Sequence, residues 1–247
     1  MHRFFADESG IVDGMARLGA EDARHAVRVL RLGVGDEVEL VAAPERYLGE
    51  IEHADEGGVT VRVSKRLRST EASARVTLYQ GLPKADKMDM IVQKSTELGA
   101  CAVVPVAMER SVVKLDGKDA VRKTERWQKI AREAVKQCAR VAVPEVKQLQ
   151  RLAALEAELC ALDVLIVPWE DARDGSIRGS LEPVLKKEEP RIGILIGPEG
   201  GISAGEAEWL SRHADAKLVT LGPRILRTET AGLAALAITM ALCGEME

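Results

Sequence analysis

An α/β protein in two unequal parts is what the sequence predicts: a small β-rich module, then a larger and mainly parallel sheet. Two patterns carry this. Near the N-terminus Val59, Val61 and Val63 alternate with Thr60, Arg62 and Ser64, the period of a half-buried strand. From Arg75 onward, short aliphatic runs alternate with helical stretches, as in strands joined by crossover helices with both sheet faces covered. A chain of 247 residues suits such a division, drawn here as domains 1–72 and 73–247.

In the first domain, residues 37–41 and 47–53 read as two further strands. A helix is expected between Ala20 and Leu32, with Ala26, Val29 and Leu30 on its apolar face. Gly33-Val34-Gly35-Asp36 turns the chain into the next strand, and the polar stretch 65–74 reads as a linker. In the second domain the expected strands are 76–80, 101–106, 164–168, 192–196 and 218–221. Met88, Ile91, Val92 and Leu98 give one helix its apolar side; Trp127, Ile130, Ala131, Ala134, Val135 and Cys138 give another. The nearly apolar run 231–243 reads as a buried helix, too short to cross a bilayer.

Composition narrows the function classes. Hydrophobic residues at 46% supply a core that must be aliphatic, because aromatics are only 3%. A net charge of −4 argues against a surface coated for indiscriminate nucleic-acid binding. The four cysteines and four histidines are dispersed, which points to neither a disulfide framework nor a metal site. Without a leader-like or membrane-spanning segment, the expected location is cytoplasmic.

Chemistry is concentrated in two stretches. Gly197-Pro-Glu-Gly-Gly-Ile-Ser203 follows a buried strand with a glycine-rich loop, where backbone N–H groups can approach a ligand closely. Ser203 and Glu206 are spaced to cap the helix that follows. Leu221-Gly-Pro-Arg-Ile-Leu-Arg-Thr-Glu-Thr-Ala231 also leaves a strand end and enters the final helix. There Thr228 is the expected N-cap, and Arg224, Arg227 and Glu229 put charge where parallel sheets bind ligands. Basic residues gather at Lys118 to Arg140, and Arg24, Arg28 and Arg31 fall near one helix face. Such runs read either as solvated faces or as patches that meet the phosphates of a nucleic acid.

Together the two stretches resemble the signature pair of SPOUT methyltransferases, and in particular the family that methylates N3 of a uridine in 16S RNA of the small ribosomal subunit. His25-Ala-Val-Arg-Val-Leu-Arg31, Leu82-Pro-Lys84, Lys94-Ser-Thr-Glu-Leu-Gly99, Glu109-Arg-Ser111 and Gln137-Cys-Ala-Arg140 match it too, with Cys138 where serine is usual. The resemblance implies an N-terminal PUA-like β-barrel, a parallel sheet with a C-terminal trefoil knot, and a homodimer. It implies S-adenosylmethionine as cofactor, held by Ile196, Gly197, Pro198, Glu199, Gly200, Gly201, Leu221, Gly222, Ile225, Leu226, Arg227 and Thr230. RNA would be met by Arg24, Arg28, Arg31, Lys84, Arg110, Arg126 and Arg140.

Methyl transfer to uridine N3 must also remove a proton or stabilise the anion. Arg227 is the candidate cation, and Glu199 and Glu229 are equal candidates for the base. Two other classes stay open: an RNA-binding assembly factor without catalysis, whose binding would ignore the cofactor, and a nucleotide-binding enzyme of small molecules, with no use for residues 1–72.

Overall fold

A computed structural model describes residues 1–55 and 58–246. Two units divide the chain: Met1–Glu71 with Ala139–Ala142, and Ala72–Cys138 with Val143–Glu247.

In the first unit β1 (His2–Val12), β2 (Met15–Leu18), β3 (Glu37–Ala42), β4 (Glu45–Asp55) and β5 (Gly58–Leu67) form a closed barrel in the order β1-β2-β5-β4-β3. Alternation sorts the side chains: Val38, Leu40, Ile51, Val59 and Val61 point inward to a core completed by Phe4 and Ala26. The strand β5 runs on to Leu67, into the stretch expected to be linker. Neither β1 nor β2 is foreseen by the sequence reading. They are joined through Asp13-Gly14, both at positive φ, the Asp-Gly signal of a tight hairpin. Closure is sealed by parallel pairing of β1 with β3, Phe4 opposite Leu40. That contact is long-range, and no local pattern announces it.

The expected helix also differs. A short α1 (Ala20–Arg24) passes into a π-helical turn, His25–Val29. Wider π turns break the 3.6-residue phase. Ala23 and Ala26 are therefore buried, while Val29, expected on the apolar face, is 64% exposed.

The second unit contains β6 (Arg75–Gly81), α2 (Lys87–Glu97), β7 (Ala102–Ala107), α3 (Gly117–Cys138), β8 (Glu145–Val146), β9 (Gln150–Arg151) and α4 (Glu156–Cys160). It continues with β10 (Val164–Pro168), α5 (Ile177–Leu181), β11 (Arg191–Ile196), α6 (Ala204–His213), β12 (Lys217–Val219) and α7 (Thr228–Leu242). The strands make one parallel sheet, ordered β12-β10-β11-β6-β7, with β8 and β9 both beside β7. Its strands read as unbroken aliphatic runs because both faces are covered. On one face Leu78, Ile166, Ile194, Leu236 and Met240 share a core; on the other Tyr79, Leu165, Leu195, Leu159 and Leu210 do. This topology brings the carboxyl ends of β6, β10, β11 and β12 together.

Candidate active site

The loop leaving β11 is gripped from several sides. Arg110 donates from its guanidinium to the Gly200 carbonyl at 3.0 Å, and the Trp169 indole donates to the Ile202 carbonyl at 3.2 Å. Space is short throughout: a Cβ on Gly197 would lie 2.8 Å from Ile202, one on Gly200 2.9 Å from Arg110, and one on Gly201 would run into Glu170. The loop ends in the expected capping box. Ser203 accepts from the Glu206 N–H, and Glu206 accepts from Ser203. A second layer secures the box: the Ser203 hydroxyl donates to Glu109 at 2.6 Å, and the Glu109 N–H to Glu206 at 2.7 Å.

The second loop, residues 220–227, enters α7, and here the expected cap is corrected. Arg227 occupies the N-cap position, without a side-chain cap. Thr228 is the first helical residue and is buried. Its hydroxyl donates to the Gly197 carbonyl at 2.6 Å and accepts from the Gln80 amide at 2.8 Å. Threonine is selected here to join β6, the glycine loop and α7.

Between the segments after β10 and β12 lies a cleft of about 550 Å³, lined by residues 168–173 and 220–226 and by Ala231. That volume is in the range of small-molecule and cofactor sites. Of the expected cofactor residues, Leu221, Gly222, Ile225 and Leu226 line it. Ile225, an apolar side chain, is 91% exposed. Glu170 and Asp171 add negative charge to the wall, which suits a sulfonium or ammonium cation. Gly201 borders it through Glu170, Ile196 is buried at the end of β11, and Thr230 is exposed on the first turn of α7. The apolar wall and acidic rim of the cleft fit S-adenosylmethionine. Among the described residues no three His, Cys, Asp or Glu side chains gather as around a metal ion.

The two candidate bases meet on a residue that sequence reasoning missed. The Lys87 ammonium lies 3.1 Å from Glu199 and 3.1 Å from Glu229. Burial raises the Glu199 carboxyl, but hydrogen bonds from the backbone N–H groups of Lys84 and Glu199 itself, and the Lys87 cation, more than reverse this. The net shift is downward. Glu229 is likewise raised by burial and lowered further by its own N–H, by Lys87 and by the charge of Arg227. Both are therefore carboxylates at neutral pH. Arg227 itself is exposed. Lys87 falls between the two segments singled out in the sequence, 82–84 and 94–99, and its only local signal was its place three residues after Lys84.

The expected RNA contacts separate. Lys84 is exposed, and its N–H is spent on Glu199. Arg110 serves the glycine loop. Arg126 pairs with Asp89, which also takes the Trp127 indole N–H. The side chain of Arg140 is only 7% exposed and lies 2.6 Å from Glu71, so it is a structural ion pair with no face left for RNA. In the barrel, Arg24 and Arg28 line a cleft of about 430 Å³ together with Arg17, which the sequence reading passed over; Arg31 does not line it.

Residues 70–240 match the family model for an RNA methyltransferase domain, and residues 18–64 that for an RNA methyltransferase PUA domain. The chain is 37% identical over 223 residues to ribosomal RNA small subunit methyltransferase E of Bacillus subtilis, covering 88% of this chain and 86% of that one. Against the enzyme of the same name from Aquifex aeolicus it is 30% identical, covering 97% and 99%. In three dimensions it is similar to a ribosomal RNA small subunit methyltransferase E from Neisseria gonorrhoeae, solved bound to S-adenosyl methionine: TM-score 0.76, 29% identity, 98% of each chain. With the barrel, the parallel sheet and the two signature loops in place, the chain belongs to the SPOUT class of RNA methyltransferases, in the small-subunit ribosomal RNA methyltransferase E family.

Proposed function

We propose that this protein methylates N3 of a uridine in the 16S RNA of the small ribosomal subunit, using S-adenosylmethionine, in the cytoplasm. The observation that carries the reading is the meeting of both signature loops at one place: Glu199 and Glu229 share the Lys87 ammonium, while Thr228 ties α7 to Gly197. The cofactor supplies an electrophilic methyl group on sulfonium. Residues 197–201 and 220–226 would hold and orient it, with backbone groups around Leu221, Ile225 and Leu226 available to the adenine. Positioning is the main requirement of such a displacement. A carboxylate, Glu199 or Glu229, accepts the N3 proton, and the Arg227 cation faces the uracil anion.

The barrel binds RNA through Arg17, Arg24 and Arg28. Phosphate contacts there position the substrate, with the exposed side chain of Lys84 as a further contact on the bound RNA. The deep trefoil knot of the class belongs to this reading. The resemblance of the two signature loops to those of the class is what supports it. The active form is a homodimer.

Mass spectrometry of 16S RNA from a strain lacking this protein tests the reading. An N3-methyluridine should be missing and should return when purified protein and cofactor are added to the subunits. An unchanged modification pattern overturns it. Within the site, Arg227→Ala should lower single-turnover methylation by about 100-fold while cofactor affinity changes little, and Arg227→Lys should restore only part, because lysine lacks the planar fork. An Arg227→Ala enzyme of wild-type rate removes that residue from the chemistry.

A further inference from the structure

Three segments far apart in sequence converge on Lys87: its own position at the start of α2, the loop after β11 and the first turn of α7. Lysine side chains usually extend into water, yet this one is 26% exposed and directed at two carboxylates. We propose that Lys87 is a positioning residue for methyl transfer, whose ammonium draws Glu199 and Glu229 onto one point. The inference rests on the function proposed above and adds a residue to it.

The two glutamates depend on Lys87 unequally. Glu199 has a second anchor, the Lys84 N–H, at 3.0 and 3.3 Å from its two oxygens. Glu229 has less. Its Oε2 is shielded from solvent and meets no aligned hydrogen-bond donor among the described residues; the Lys87 ammonium at 3.1 Å is the cation it touches. Other charges face the group from each side. Arg227 acts on Glu229 from the start of α7, Lys84 and Asp86 flank it before α2, and Asp89 on α2 is engaged by Arg126. With Lys87 gone, the two carboxylates would lose their shared cation, and Glu229 would keep only its own N–H and the charge of Arg227. Like charges on either side of one lost cation raise each other's pKa, and an opposite charge this close lowers a carboxyl by about 1–3 units. Glu229, the less anchored, is the one that takes up the proton.

Two measurements on the full chain test this. The first needs no RNA: carboxyl NMR of protein labelled with 13C at the glutamate side chains, with the resonances assigned through Glu199→Gln and Glu229→Gln. In Lys87→Met the Glu229 titration should move up by about one unit or more, and in Lys87→Arg it should stay near its wild-type position. The second is single-turnover methylation of small subunits between pH 5 and 9, alongside calorimetric titration with S-adenosylmethionine. Lys87→Met should lower the rate by about tenfold or more, most severely at the acid end. Cofactor affinity should be retained, and Lys87→Arg should recover the rate and the wild-type acid limb. Adding Glu229→Gln to Lys87→Met should abolish the shifted limb. An unmoved Glu229 titration in folded Lys87→Met overturns the proposal, as does a shifted limb that persists in the double variant. If the titration moves but wild-type protein methylates no ribosomal RNA, the functional reading falls while Lys87's hold on the pair stands.

Discussion

Gly201 combines two demands that no other residue meets together. Its φ is +73°, and the space a Cβ would take is filled by the Glu170 carboxylate. A β-branched side chain in the left-handed region is strained, so Gly201→Val should displace the loop and weaken S-adenosylmethionine binding by about tenfold or more, the equivalent of about 1.4 kcal/mol. The α6 capping box lies just beyond and should keep the unit folded. Calorimetric titration beside a thermal melt checks this, and a folded variant of undiminished affinity counts against the loop as a cofactor cradle. The glycines were legible because their type and order make a motif. Thr228 was visible only as a helix cap. Its actual partners, Gln80 and Gly197, lie 148 and 31 residues away in sequence, a distance that local rules do not cross.

Elements were legible in proportion to how local their causes are. The strands β6, β10 and β11 are short aliphatic runs between helices, and both faces are buried, so their reading needed no partner. The barrel strands β1 and β2 owe their form to pairing across the barrel, and Asp7 and Ser9 within β1 break the apolar alternation. The helix after β2 shows a subtler limit. Spacings of four and three put Arg24, Arg28 and Arg31 on one face of a regular α-helix, but the π turn His25–Val29 and the positive φ of Arg31 break that face. Arg24 and Arg28 instead line a cleft with Arg17 of β2. Replacing Arg17, Arg24 and Arg28 with glutamate should therefore weaken RNA binding severely and flatten its salt dependence, since each lost phosphate contact reduces the slope by about one. Arg31→Glu should do much less. Filter binding at several salt concentrations separates the two, and equal effects would restore the single helix face.

At the scale of the whole molecule, the chain returns to its first unit after α3, through residues 139–142, and one carboxylate secures the return. Burial raises the Glu71 carboxyl, but the Arg140 guanidinium and the N–H groups of Val141 and Ala142 outweigh it and hold it below its ordinary 4.5. A carboxyl lowered on folding adds stability that is full above its unfolded value and fades as pH falls through the folded one. Glu71→Gln should thus lower the melting temperature at pH 7, with the gap to wild type narrowing below pH 4.5; a gap independent of pH would mean the pair contributes no linked stability. The final helix carries the remaining prediction. Gly232, Ala235, Leu236, Thr239 and Met240 of α7 are buried within the unit, and Gly232 packs so closely that a Cβ would lie 3.2 Å from Gln80. The opposite side is not polar, as it would be on an ordinary surface helix: Ala234, Ala237, Ile238 and Ala241 form it, with Ile238 44% exposed. A second copy covering this stripe accounts for its composition, and a two-fold interface would place the same residues against each other. The wild-type protein should therefore sediment at twice the chain mass. Ile238→Asp with Ala241→Asp should give a folded monomer, because each new carboxylate would be buried unpaired at such an interface and is harmless in water. A wild-type monomer at micromolar concentration, or a double variant that still sediments as a dimer, would mean that α7 faces solvent or that the partner docks elsewhere.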